Sequence, residues 1–266
     1  MNFWELASFS KIRNFDNFSL LKQAYNQKVL IEDNKRVLKK FIDSFETFKD
    51  SKSQLYQDVF ASFIVDGKFE KTFLEFGATN GIDLSNSYSL ETFKGWTGVL
   101  SEPSPQWHHD LIKNRNKTKI ITKCIWSQSE KKLDFFMSDV GALSTIKDFV
   151  DSDKSSMPGN TAQRKKGGKT VSVETISLND VIKEYFNDEV PSYISVDTEG
   201  SEYEILKSFD LNVYRPKLLT IEHNFTDQQK HIDSLMKNNN YERIFEKLTL
   251  FDAWYVSREV LKELDF

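Results

Sequence analysis

The sequence predicts an α/β protein built on a mostly parallel sheet with helices on both faces and an antiparallel edge. Three observations carry this expectation. From Ser53 onward short apolar runs alternate with amphipathic stretches, the rhythm of strand–helix–strand units. The last two strand-like runs, "YERIFEKL" and "LFDAWYVS", have no helix between them, which predicts antiparallel pairing at an edge. Glycines and acids gather where the strand-like runs stop, and ligands of open parallel sheets sit at those carboxyl ends.

Composition bounds the reading. The 266 residues are 39% hydrophobic and 14% aromatic, with 22 Phe, enough to bury the core of one large domain. A net charge of −4 gives no basic footprint, so no nucleic-acid partner is expected. No apolar run reaches the roughly 18–20 residues of a membrane span, and "MNFWELASFSKIRNF" lacks the pattern of a signal peptide. One cysteine, Cys124, excludes an internal disulfide and suits a reducing compartment, so a cytoplasmic protein is expected.

Residues 1–50 form a unit apart from the domain expected over 51–266. In "VLIEDNKRVLKKFIDSFETFKD" Val29, Val37, Phe41, Phe45 and Phe48 recur at near-helical spacing, which predicts a helical arm. Such an arm docks either on the main domain or on a second copy of the chain as a homodimer. In "SQLYQDVFASFIVDG" Ser53 is the expected N-cap of a helix burying Leu55, Val59, Phe60, Phe63 and Ile64. Then follow "KTFLEF" as a strand, "LSNSYSLETF" as a helix, "WTGVLS" as a strand and "PQWHHDLIKNR" as a helix. "TKIITKCIW" and "KKLDFFM" read as two further strands. After a long polar loop come strand "KTVSVETIS", helix "LNDVIKEYF", strand "SYISVD", helix "SEYEILKSF", strand "KLLTIE" and helix "DQQKHIDSLMKNN", before the closing pair.

Four strand ends carry candidate chemistry. "FLEFGATNG" places Glu75 inside an apolar strand and ends it in a turn from Gly77 to Gly81, where glycine lets the backbone turn tightly and approach a ligand. In "VLSEPSP" Glu102 follows about 20 residues later, the distance at which an acid grips ribose hydroxyls in nucleoside-binding sheets. The dinucleotide pattern G-x-G-x-x-G is absent, which speaks against NAD, and "GGKT" has Gln163 where a P-loop needs glycine. An acid within the first strand suits a cofactor carrying positive charge, as S-adenosylmethionine does. In "ISVDTEGSEYEIL" Asp197 and Glu199 stand where a strand meets a helix start, and "TIEHNF" adds Glu222, His223 and Asn224 at another strand end.

With these clusters in order the chain resembles the FkbM family of S-adenosylmethionine-dependent methyltransferases, over "SQLYQD", "FLEFGATNGIDLSNSYSLE", "GWTGVLSEPSP", "ISVDTEGSEYEIL" and "RPKLLTIEHN". The resemblance runs from about Ser53 to the C-terminus. It implies a Rossmann-like class I methyltransferase fold and S-adenosylmethionine as cofactor. It implies cofactor contacts at Glu75, Gly77, Ala78, Thr79, Asn80 and Gly81, at Asn86 and Ser87, at Glu102 and Pro103 beside the ribose, and at Cys124, Ile125 and Trp126 beside the adenine. Asp197 falls near the methyl donor's amino-acid end or the acceptor. Family members are read as O-methyltransferases of sugars or secondary metabolites, so the expected partner is a small-molecule acceptor such as a sugar.

A hydroxyl acceptor needs a base. His223 is the first candidate and Asp197 the second, with Glu199 and Glu222 behind them. Asp197, Glu199, Glu222 and His223 also suit a hard divalent ion, but no dense ligand motif demands one, and no metal is expected. The segment "SDVGALSTIKDFVDSDKSSMPGNTAQRKKGG" reads as a lid, with Gly141 to Ser144 shaping the acceptor pocket and Arg164, Lys165, Lys166 and Lys169 either holding an anionic acceptor or simply solvated. The alternative function is a catalytically inactive methyltransferase fold serving as a binding scaffold. Acids retained at all four strand ends speak against it.

Overall fold

The computed structural model describes residues 35–45, 48 and 50–264. Two helices come first, α1 (Lys35–Ser44) and α2 (Gln57–Val65). α1 buries Val37, Leu38, Phe41 and Ile42 and leaves Lys39, Lys40 and Asp43 outside, the stripe of an amphipathic helix. Phe41 meets Phe60 and Phe63 of α2 and also Phe245 and Trp254, with ring centroids 5.0–6.0 Å away. This part of the arm therefore docks on the main body of its own chain. Val29 and most of the 1–50 arm through which a homodimer was expected lie outside the described residues.

Ser53 does not cap α2. The helix starts after Tyr56, whose φ is 66°, and Ser53 instead donates to the buried Asp58 carboxylate and accepts from the Asp58 N–H at 3.3 Å. The alternation then proceeds through β1 (Thr72–Phe76), α3 (Tyr88–Lys94), β2 (Thr97–Ser101), α4 (Pro105–Asn114), β3 (Lys119–Ile121) and β4 (Cys124–Trp126). Next come β5 (Lys132–Ser138), β6 (Thr145–Ile146), α5 (Pro158–Arg164), β7 (Gly168–Ser177) and α6 (Leu178–Phe186). The chain continues with β8 (Tyr193–Val196), α7 (Glu202–Leu206), β9 (Leu218–Glu222), α8 (Gln228–Asn238), β10 (Tyr241–Ile244), β11 (Asp252–Ser257) and α9 (Arg258–Glu263). No helix among the described residues is long and apolar enough to cross a membrane.

The main sheet has seven strands in the order β10-β11-β9-β8-β1-β2-β3. β8 lies at its middle, and β1 beside it is parallel to β2 on one side and to β8 on the other. β3 extends the parallel run beyond β2, and β9 extends it beyond β8. β11 is antiparallel to both β9 and β10, so it alone is reversed and β10 at the edge returns to the common direction. The expected antiparallel edge is thus a reversed strand one place inside the edge.

The run "TKIITKCIW" is not one strand. β3 closes the main sheet, and two residues later β4 joins a second sheet of four strands in the order β4-β7-β5-β6. The switch falls where the Glu102 N–H takes Ile121 O at 3.0 Å and the Ser101 hydroxyl takes Lys123 O at 3.1 Å. The second sheet and the segment between β6 and β7 roof the carboxyl ends of the main strands.

Strand alternation sorts the core. On β1, Phe73 joins the cluster beneath α1 and α2, while Leu74 and Phe76 join the opposite cluster. Tyr193 and Leu218 take the first side, and Ile194, Val196, Leu219 and Ile221 the second. Period two therefore turns Glu75, Ser195, Asp197, Thr220 and Glu222 toward the face beneath α1 and α2. These polar positions line up across β1, β8 and β9 at one end of the sheet.

Candidate active site at the strand ends

A cavity of about 270 Å³ opens at the carboxyl ends of β1, β2, β8 and β9 under the roof. This lies just below the range of roughly 300–1,000 Å³ common for small-molecule sites. Glu75, Gly77, Thr79, Asn86, Glu102, Pro103, Cys124, Ile125, Asp197, Glu199 and Glu222 line it, so the structure brings most of the sequence-predicted residues together. Ala78, Asn80, Gly81, Ser87, Trp126 and His223 are not on its wall.

The turn after β1 explains the buried Glu75. Its carboxylate accepts the Asn86 N–H at 2.8 Å, the Ser85 hydroxyl at 3.0 Å and the Ser87 hydroxyl. These donors brace the segment entering α3, and Glu75 holds this turn while lining the cavity. Arg115, fully buried, backs the same turn through Gly81 O at 3.0 Å, the Ser87 hydroxyl at 3.0 Å and an ion pair with Glu91. Gly77 has φ +77°, and a Cβ there would stand 2.1 Å from the Asp197 carbonyl oxygen. Glycine is thus required because the ends of β1 and β8 touch. At Gly81 a Cβ would strike the Arg115 and Leu111 side chains at 2.6–2.7 Å.

At the end of β2, Glu102 accepts the Thr79 and Ser104 N–H groups, each at 2.8 Å. Burial pushes its carboxyl up to about 7 against those two hydrogen bonds. The next wall is apolar: Cys124 and Ile125 from β4, Phe135 from β5, Leu143 and Ile146 from the roof. Burial, with the Glu102 charge behind it, pushes the Cys124 thiol up to about 12, so it stays a neutral packing group. Trp126 faces Phe149 outside the cavity, ring centroids 6.0 Å apart.

At the ends of β8 and β9 carboxylates crowd. Asp197, Glu199 and Glu222 each offer an oxygen within 4.8 Å of the others. Burial first, and the neighbouring Glu202 charge second, push Asp197 up to about 7. Glu199 and Glu222 are pushed well above the usual carboxylate range by burial and by Asp197. Glu199, at φ +58°, meets Arg164 from the end of α5 at 2.6 Å, and Arg164 also pairs with buried Asp153 at 2.8 Å. Arg164 is therefore sealed inside the roof, and Lys165 pairs with Asp151; this half of the basic stretch does not wait for an anionic acceptor. Glu222 accepts the Asn224 amide at 2.8 Å, and Glu202 caps the turn by accepting the Thr198 and Gly200 N–H groups at 3.0 and 2.9 Å.

His223 is the main correction. Its Nδ1 accepts the Phe225 N–H at 3.0 Å, so Nε2 carries the proton and donates to the Asp252 carbonyl at 3.1 Å. Burial and the adjacent Arg243 push the imidazole down to about 4. The side chain of the last residue of β9, Glu222, points into the cavity, and period two sends the next one away. His108 is structural too, its Nε2 lying 2.9 Å from the Glu102 carbonyl oxygen. The sequence reading missed Phe135, Met157, Asn160, Ser201 and Phe251 on the cavity wall. Ser201 sits inside the quoted stretch "ISVDTEGSEYEIL", but no motif marks the other four, and Met157, Asn160 and Phe251 come from roof or loop segments whose position depends on distant pairing.

A mostly parallel sheet with one reversed strand next to its edge, glycines and acids at its carboxyl ends and a roofed cavity there define a Rossmann-like class I methyltransferase fold. A family profile, the methyltransferase FkbM domain, matches residues 75–243, and the chain belongs to that family. No curated protein matches the sequence. Among solved structures, a fibrillarin/NOP5P complex is similar at 11% identity and a TM-score of 0.35, over 71% of this chain and 73% of that one. A precorrin-6y C5,15-methyltransferase from Geobacter metallireducens is similar at 10% identity and a TM-score of 0.35, over 74% and 79%.

Proposed function

We propose that the protein methylates a hydroxyl group of a small molecule, such as a sugar or secondary metabolite, with S-adenosylmethionine as donor. The observation that carries this reading is one continuous cavity with Glu102 and an apolar slot at one end and the carboxylates of β8 and β9 at the other. The residues fit such a donor: Cys124, Ile125 and Phe135 offer an apolar berth for the adenine, and Glu102 keeps free lone pairs for ribose hydroxyls. When bound, the donor supplies an already activated methyl group, whose C–S electron pair leaves with sulfur as the acceptor oxygen forms the new C–O bond.

The chain's own work is alignment and exclusion of water, which the roof from Gly141 to Ile146 performs over the acceptor. The acceptor's proton goes to the carboxylate cluster. Glu199 is held by Arg164, and Glu222 by Asn224 and by a hydrogen bond shared with Asp197, so the Asp197–Glu222 pair is the part of the cluster placed to take it. Isothermal titration with S-adenosylmethionine, S-adenosylhomocysteine and NADH tests the reading. Binding of both adenosyl ligands, no heat with NADH, and affinity about tenfold or more weaker in Glu102→Ala are expected, as for a lost hydrogen bond to a charged group. Absence of adenosyl binding by the folded protein would overturn it.

A further inference from the structure

We propose that Asp197, Glu199, Glu222 and Asn86 form a site for a hard divalent cation, of the class of Mg²⁺ or Mn²⁺, at the acceptor end of the cavity. The three carboxylates already lie within 4.8 Å of one another. Two oxygens on opposite sides of Mg²⁺ stand about 4.0–4.2 Å apart, twice the metal–oxygen bond length, so the carboxylates close around it by at most several tenths of an ångström.

Asn86 supplies the independent observation. It is 7% exposed, and its Nδ2 donates to the Ser195 hydroxyl at 2.9 Å. Ser195 precedes Asp197 by two residues on the same face, so the amide is anchored beside that carboxylate. The Asn86 Oδ1 has no hydrogen-bond partner, and the residue lines the cavity together with Asp197 and Glu222. A buried carbonyl without a donor, in a residue that shares a cavity wall with carboxylates, costs stability unless a cation or donor reaches it.

Charge points the same way. The guanidinium that reaches the cluster, that of Arg164, is shared with Asp153 and answers one of the three carboxylates. Carboxylates with an amide carbonyl form an all-oxygen set, which suits Mg²⁺, Mn²⁺ or Ca²⁺ rather than a thiolate- or imidazole-seeking metal. A cation there stands beside the acceptor hydroxyl and lowers its pKa. Coordination through one oxygen of Asp197 leaves the other to receive the proton.

The test is titration of the metal-stripped protein with MnCl₂, followed by the Mn²⁺ electron paramagnetic resonance signal and by heat, with MgCl₂ as competitor. It needs no methyl donor, so its failure and that of the methyltransferase reading are separate results. One saturable site is expected, with affinity about tenfold or more weaker in Asp197→Asn and Glu222→Gln and detectably weaker in Asn86→Leu. Exposed Glu184→Gln leaves the titration unchanged. Both carboxylate variants relieve crowded charge and remain folded, which circular dichroism verifies. No saturable binding up to roughly millimolar Mn²⁺, or binding that survives both carboxylate substitutions, overturns the proposal.

Discussion

Replacing Gly77 by alanine separates two costs that usually arrive together. Gly77 and Gly95 both sit in the left-handed region, at φ +77° and +72°, but a Cβ at Gly95 meets nothing within 4 Å. Gly95→Ala therefore reports the conformational cost alone, about 1–2 kcal/mol. Gly77→Ala adds the approach to Asp197, where the new Cβ would lie 2.1 Å from the carbonyl oxygen and 3.2 Å from its carbon. Ordinary contact begins near 3.4 Å, so the ends of β1 and β8 must part by more than an ångström. Overpacking of this kind costs about 1–3 kcal/mol, for a total of about 2–5 kcal/mol at Gly77. For a chain of this size the gap between the variants is about 2–12 °C in Tm. Urea denaturation of both variants measures it directly, and titration with S-adenosylhomocysteine reads the displaced cavity wall as weaker binding in Gly77→Ala alone. If Gly77→Ala is no less stable than Gly95→Ala, the two strand ends do not touch in solution and the explanation of the turn fails.

Three further outcomes follow from the packing and charges described. Arg164→Met leaves Asp153 and Glu199 buried without their counter-charge, and a loss of about 3–5 kcal/mol in urea denaturation is expected, with faster proteolytic cleavage between residues 139 and 167. Phe41→Ala removes a ring packed against Phe60, Phe245 and Trp254, for about 3–5 kcal/mol; a loss below 1 kcal/mol would show that α1 is not part of the core. Stability is expected to fall as pH rises from about 4 to 7. Unfolded, Asp58, Glu102 and Asp252 ionise near 3.8, 4.5 and 3.8, whereas burial holds their protons to about 6, 7 and 7 in the folded chain. Folding thus takes up protons in that window, and Glu102 alone accounts for about 3 kcal/mol. Buried His223, pushed from 6.5 down to about 4, opposes them as pH falls below 6.5, but by less than the three carboxyls together. Urea midpoints at pH 5 and pH 8 decide the matter, and a higher midpoint at pH 8 would contradict the burial of these acids.

Local signals carried much of the architecture. Short apolar runs marked β1, β2, β8 and β9, and the missing helix before β11 announced the reversed strand. Glycines and acids at strand ends drew attention to Glu75, Glu102, Asp197 and Glu222, all of which reach the cavity. What stayed hidden depends on partners remote in sequence. Nothing in "TKIITKCIW" says that two residues separate strands of different sheets, because the pairing of Cys124 with Thr175 decides it. Arg164 reads as one member of a solvated basic run until Asp153 and Glu199 close around it. His223 looked like a base because imidazole titrates near neutrality; which face of the sheet it would occupy depended on where β9 ends. Glu75 was recognised as anomalous, but its donors at Ser85, Asn86 and Ser87 follow only from the fold of the turn.

The interior place of β1, between β2 and β8, has a consequence for synthesis. Its neighbour β2 follows within a few dozen residues, but its other edge waits for β8, whose entry is fixed by the Ser192 N–H on the Thr72 hydroxyl across 120 residues of chain. At about 5–20 residues per second, translation leaves that edge bare for roughly 6–24 seconds. During that interval Phe73, Leu74 and Phe76 present an apolar strand with unpaired amides, a template for association with other nascent chains. The residues that later roof the cavity are made in that gap, so the sheet stays half-built until its second half emerges.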